Sequence, residues 1–190
     1  MCTIRFMRNP RPREDLLEKA IAYFVAHGVG DTSLRTLAAE IGTSHRMLIY
    51  HFGSREGLLT AIVSSFWHGQ QAVLDELTSA DPGDPRGNAW RMWEVMVEGS
   101  AITPLVFELS APAMQEAPWT ESFREGTAAW VRQIGAHLVA YGEPPARAEA
   151  LARAAMAVVR GALWELAITG DRAAADLAVR TVLDETWPGR

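Results

Sequence analysis

Residues 43–54 read TSHRMLIYHFGS and crowd two histidines, an arginine, a tyrosine and three hydroxyl side chains into twelve positions. Groups of these types can ligate a metal, move protons or grip a nucleic acid. Metal ligation fits poorly. His45 and His51 are six residues apart, which puts them on opposed faces of a helix, and no Cys, Asp or Glu stands at ligand spacing from them. Hydrolytic and nucleotide chemistry fit no better. The chain has no Gly-x-Ser-x-Gly, no Walker loop and no His-Glu-x-x-His. His68, His137 and the scattered acids form no recognisable catalytic set, so an enzyme is not expected, and neither is a cofactor. Nucleic-acid recognition is the reading left, and its worth depends on the elements that hold these residues.

The pattern around them is helical. Residues 12–27 place Leu17, Ala20, Ile21, Phe24 and Val25 on one face. Pro12, Glu14 and Asp15 suit the start of that helix, and Gly28 and Gly30 suit its end. Thr32 or Ser33 can cap a short helix over 33–40, with Leu34, Leu37, Ala38 and Ile41 inward, and Gly42 can end it in the left-handed conformation. Thr43 or Ser44 can cap a second, over about 44–51, with Leu48 and Phe52 inward. Two short helices joined by a turn of three or four residues containing glycine make a helix-turn-helix. Ser54 then suits the N-cap of a long helix, about 54–79. The stretch DPGDPRGN, 81–88, reads as a linker. Further helices are expected at about 86–99, 103–114, 119–141, 145–169 and 172–187, with breaks near Pro104, Pro112, Pro118, Gly142–Pro145 and Gly170. No strand alternation, repeat or low-complexity segment stands out.

Length and charge agree with this plan. The 190 residues suffice for one domain and a small appended one, and 48 % hydrophobic content supports a substantial core. A single cysteine, Cys2, excludes an internal disulfide framework. No signal peptide and no apolar run of membrane-spanning length is evident, so a soluble cytoplasmic protein is expected. The net charge of −5 argues at first against a polyanion partner. It is unevenly placed, however. Residues 1–60 hold eight Lys+Arg and six acids, a net of +2, which leaves ten and seventeen, a net of −7, for the rest. The first thirteen residues are basic without an acid, and suit either a solvated tail or an arm that touches DNA.

A helix-turn-helix lays the start of its second helix against base edges in the major groove. Arg46 then suits guanine, His45 a base or phosphate, and Met47 a thymine methyl, while Tyr50 and His51 at the helix end suit phosphates. Arg55 and the free N–H groups of the next helix start suit a second phosphate. The plain alternatives are packing of His51 on Phe52, Met47 in the core, and Arg46 paired with Glu40.

The segment SLRTLAAEIGTSHRMLIYHFGSREGLL resembles the DNA-binding signature of the tetracycline-repressor (TetR) family of bacterial transcription regulators. Ser33, Leu37, Ala38, Gly42, Ser44, Leu48, His51, Phe52, Ser54, Glu56 and Leu58 stand in register, with Arg55 for the family's lysine. Three positions depart from it. Thr43 replaces a valine, Arg46 a glycine, and the aromatic falls at Tyr50 rather than at Ile49, a rotation of about 100° around the helix. The usual tyrosine–phosphate contact therefore does not transfer to Tyr50, and Arg46 suggests a different operator. The candidate DNA contacts are Ser33, Arg35 and Thr36 on the first short helix, with Thr43, Ser44, His45, Arg46, Met47, Tyr50, His51 and Arg55 on and beside the second.

The resemblance implies an all-α protein in three parts: a basic N-terminal arm over 1–11, a three-helix head over 12–53, and an effector-binding and dimerisation domain over 54–190. It implies double-stranded operator DNA and a small-molecule effector as partners, and a homodimer through helices about 145–169 and 172–187. The alanine-crowded ARAEALARAAMAVVRGALWELA suits close helix packing there, with an intramolecular hairpin as the alternative. Aromatics and methionines concentrate in the C-terminal part. Phe66, Trp67, Trp90, Trp93, Met96, Phe107, Trp119, Phe123, Trp130 and Trp164 are the pocket candidates, each with a core role as its plain alternative. Glu94, Glu98 and Glu108 suit a cationic ligand or a solvated face. The reading is a transcription regulator, in the repressor sense, released by its effector. The rival is a helical protein that binds a small molecule and has lost specific DNA binding.

Overall fold

A computed structural model describes residues 12–186, and all of its regular structure is helical. The elements are α1 (Pro12–His27), α2 (Leu34–Glu40), α3 (His45–Phe52), α4 (Arg55–Ala80), α5 (Pro85–Glu98), a 3-10 turn (Ser100–Ile102), α6 (Thr103–Ala113), α7 (Thr120–Ala140), α8 (Pro145–Thr169) and α9 (Arg172–Thr186). The basic arm at 1–11 and the final residue of the helix expected over 172–187 lie outside the described residues.

Three serines set the head's helix starts. Ser33, Ser44 and Ser54 each accept a backbone N–H three residues on, from Thr36, Met47 and Gly57, at 3.1, 3.2 and 3.0 Å. Each satisfies one of the donors that a helix start leaves free. Gly42 and Gly53 follow α2 and α3 at φ +69° and +77°, where a side chain would be strained. Gly57 is needed for room instead: a Cβ there would stand 2.0 Å from the Phe52 carbonyl oxygen. The α3–α4 corner is that tight.

Leu16, Leu17, Ala20 and Phe24 of α1 meet Leu34, Leu37 and Ala38 of α2, Leu48 and Phe52 of α3, and Leu58, Leu59 and Ile62 of α4 in one buried cluster. The same cluster runs on through Trp67 and Leu74 to Leu105, Leu109, Trp130 and Met156. Head and C-terminal part thus share an apolar spine along α4. A second cluster, Trp93, Val97, Ala162, Ala175 and Val179, joins α5 to α8 and α9.

One expectation shifts. The 81–88 linker is shorter, because Asp84 caps α5 by accepting the Gly87 N–H at 2.7 Å and Pro85 takes the first helical position, where its missing N–H costs nothing. Pro112 lies inside α6 one residue before its end at Ala113, so the break expected near it falls there.

Candidate nucleic-acid interface and ligand cavity

The outward face of the head is polar and cationic. His45, Arg46, Met47, Ile49 and Tyr50 of α3 are exposed, Tyr50 at 78 %. Met47 is therefore not in the core. No ion pair holds Arg35 or Arg46 among the described residues, so the alternative pairing of Arg46 with Glu40 is absent there. Ser33 and Thr36 share a 2.9 Å bond on the exposed side of α2. Thr43 is half-buried, and Ser44 faces solvent while capping α3. His51 is half-buried between the rings of Tyr50 and Phe52, with its Nε2 buried and unpaired.

Arg55 is differently employed than its sequence position suggests. Its Nε donates to the Thr32 carbonyl at 2.9 Å and its Nη2 to the Gly30 carbonyl at 2.5 Å. It braces the α1–α2 loop against the start of α4. Glu56 beside it is held below the ordinary carboxylate pKa, chiefly by its own backbone N–H and then by Ser54.

The same loop receives a second side chain from far along the chain. Glu108 of α6 accepts the Val29 N–H with both carboxylate oxygens, each at 3.0 Å, and the Gly30 N–H at 3.0 Å. Gly28 turns the chain at φ +75° directly beside that carboxylate. Glu108 is thus committed to the head, not to a cationic ligand. The sequence offers only its helical register as a hint, since Val106, Phe107 and Ser110 on the same helix face elsewhere.

They face a cavity of about 870 Å³ lined by α4 to α9 and partly open to solvent. Phe66, Trp67, Trp93, Met96, Phe107, Phe123 and Trp130 line it, together with Met92, Ile134 and Met156. Its size and apolar walls match drug-sized organic molecules. Three aromatics proposed for it lie elsewhere, and each has a packing reason. Trp119 is buried against α6, where its Nε1 donates to the Leu109 carbonyl at 2.8 Å. Trp90 is turned toward α9 under the Arg180 guanidinium, 3.8 Å from its ring centre, and donates to Glu94 at 2.8 Å. Trp164 points away from the cavity and is 54 % exposed. Glu94 therefore serves Trp90, and Glu98 is exposed off the cavity wall.

Polar groups on the wall are few. Thr78 donates to the Leu74 carbonyl at 2.7 Å and lies 3.3 Å from His137 Nε2. Buried Asn88 donates to the Asp81 carbonyl at 2.6 Å and receives Arg91 at 2.7 Å. Gln70 has a buried amide oxygen with no partner. Arg160 donates to Thr127 at 3.1 Å and lies 5.6 Å above the Trp67 ring. Its flank is open, yet the protein packed around the guanidinium is enough to lower its pKa by desolvation. Sequence reading passed over Arg160. Its spacing from Met156 and Leu163, four before and three after, was the available signal for an inward face of α8.

Among the described residues no group of three or more His, Cys, Asp or Glu is placed to hold a metal ion, and no helix is long and apolar enough to cross a membrane.

Against known proteins, the family model described as bacterial regulatory proteins, tetR family, matches residues 16–62. No curated protein matches the chain. A TetR transcriptional regulator from Legionella pneumophila superposes with a TM-score of 0.79 at 18 % identity, over 95 % of this chain and 99 % of its own. A transcriptional regulator from Rhodococcus gives 0.78 at 18 %, over 94 % and 97 %. SmeT, the repressor of the Stenotrophomonas maltophilia multidrug efflux pump SmeDEF, gives 0.64 at 22 %, over 94 % and 89 %. At such identities the structural likeness is one of fold, and it spans nearly the whole chain. The head at residues 16–62 is thus similar to the DNA-binding part of the bacterial regulatory proteins of the tetR family, and the chain as a whole shares the fold of these solved regulators.

Proposed function

We propose that the protein is a one-component transcription regulator, a repressor that leaves its operator when a small organic molecule fills the α4–α9 cavity. One observation carries the reading. Helix α6 contributes Val106, Phe107 and Ser110 to the cavity wall while Glu108, on the same helix, holds the α1–α2 loop of the head. A ligand that displaces α6 therefore pulls on the element that orients α2 and α3. Helix α4 gives a second path, since Phe66 and Trp67 face the cavity and Arg55 at its start braces the same loop. Only a ligand with different affinity for the two head arrangements can shift DNA binding.

The exposed α3 face, with Arg46 unpaired and Tyr50 projecting, supplies the groups for base and phosphate contact. A single short helix reads few base pairs, and a two-fold pair reads half-sites roughly 34 Å apart. Exposed Trp164 and Ile168 on α8 and Leu177 on α9 form an apolar surface that supports pairing of α8 and α9 with those of a second copy. The name of SmeT supports the repressor sense.

The test is binding to a fragment of the protein's own promoter region and to random DNA across a salt series. Preference for the promoter fragment supports the regulator. Absence of binding to either at low salt would move the reading to a ligand-sequestering protein.

A further inference from the structure

The cavity's charges are unbalanced in a way that selects its ligand, an inference that rests on reading this cavity as the effector site. Four charged side chains other than histidine reach its wall: Glu116, Arg124, Arg153 and Arg160. Three are already neutralised. Arg124 pairs with Glu116 at 2.5 Å and with Glu121 at 3.3 Å, and Arg153 pairs with Glu149 at 2.7 Å. Arg160 has no carboxylate partner among the described residues. Its neighbours are the Thr127 hydroxyl and the face of Trp67. The one acid on the wall is occupied, so a cationic ligand finds no counter-charge, whereas an anion finds a guanidinium with donors to spare.

The rest of the wall defines the body of that anion. Trp67 lies against Arg160, and Phe66, Phe107, Phe123 and Trp130 line the same cavity with further aromatic rings. An aromatic or other apolar body loses nothing there that water would have offered it. The unpaired Gln70 amide oxygen, on the α4 wall, would accept a ligand hydroxyl or N–H.

We propose that the cavity selects an amphipathic organic acid, an aromatic body ending in one carboxylate, and that Arg160 pairs with the carboxylate. Arg160 is then the residue that sorts ligands by charge, and the aromatic walls accept any body of suitable size.

The experiment uses the full chain and three fluorescent probes that differ only at the end of one linker: pyrenebutyrate, pyrenebutanol and pyrenebutylammonium. Binding is read as energy transfer from the cavity tryptophans to pyrene. The acid is expected to bind roughly tenfold or more tighter than the alcohol or the ammonium, the scale of one charge-assisted hydrogen-bonded pair. Arg160→Gln should abolish that preference, so that the acid binds no tighter than the alcohol, in a chain whose cooperative melting shows that it is still folded. Arg160→Lys should keep part of it, because the charge remains and the planar fork is lost. Equal binding of all three probes, tighter binding of the ammonium, no binding of any, or a preference that survives Arg160→Gln would each overturn the proposal. An acid that binds through Arg160 and leaves affinity for the promoter fragment unchanged would overturn the effector reading alone.

Discussion

The Glu108 carboxylate receives the Val29 backbone N–H with both oxygens at 3.0 Å, across 79 positions of sequence. Removing it leaves the Val29 and Gly30 amides without their acceptor. Glu108→Ala is expected to cost about 1 kcal/mol, at the modest end for a hydrogen-bonded charge because the site is partly exposed. Hydrogen exchange should quicken at those two amides first. Unchanged protection there would show that the carboxylate does not hold the loop in solution.

Gly57 tests the corner between α3 and α4. Its Cβ would meet a backbone oxygen, which cannot swing aside as a side chain can. Gly57→Ala should destabilise the protein by about 1–3 kcal/mol and weaken DNA binding as the α3–α4 angle opens. A wild-type melting temperature would contradict the packing described.

Arg46 and Tyr50 separate recognition from attraction. Arg46→Ala should cost about 1–3 kcal/mol on the promoter fragment and much less on random DNA, the pattern of a base contact. Tyr50→Phe keeps the exposed ring and removes only the hydroxyl, so a phosphate contact predicts equal weakening on both DNAs. Equal losses for Arg46→Ala would move that residue to the phosphate backbone.

Ile168→Glu places a charge among the exposed apolar side chains of α8 and α9, where Ile168 is 64 % and Leu177 65 % exposed. Sedimentation should then report a monomer with promoter affinity lowered at least roughly tenfold, as expected when one of two half-sites is lost. A wild-type chain that sediments as a monomer would refute the pairing.

Asp176 links the second core cluster to acid stability. Its carboxylate accepts Trp93 Nε1 at 2.7 Å and Arg172 Nε at 2.6 Å. Desolvation, the largest single influence, pushes its pKa up, but the two bonds and the nearby Arg172 and Arg180 charges together bring it below the ordinary aspartate value. Because the folded pKa is the lower one, its contribution is complete above the unfolded value of about 3.9 and fades as pH falls through the native value. Asp176→Asn should lower stability at neutral pH and reduce the loss seen on acidification below about pH 4. Parallel acid curves for the two proteins would exclude the linkage.

What the sequence determined by itself was local. The head's caps, narrowed to Thr32 or Ser33, Thr43 or Ser44, and Ser54, and the break at Gly42 depend on contacts within a few residues, so their chemistry is visible in order along the chain. Helical spacing also marked the buried faces of α1 to α3, because a 3.6-residue period fixes which side chains share a side. The same period cannot tell a wall from a core. Trp93 and Trp119 are both buried tryptophans, yet only the first borders the cavity, since Trp119 is folded back onto α6 and donates to the Leu109 carbonyl there. Tertiary structure alone decided that Glu108 reaches the head, that Arg55 is spent on loop carbonyls, and that Arg160 is left unpaired beside an aromatic wall. Each is a property of groups brought together from distant positions, and charge pairing depends on distance in space, on which separation along the chain is silent.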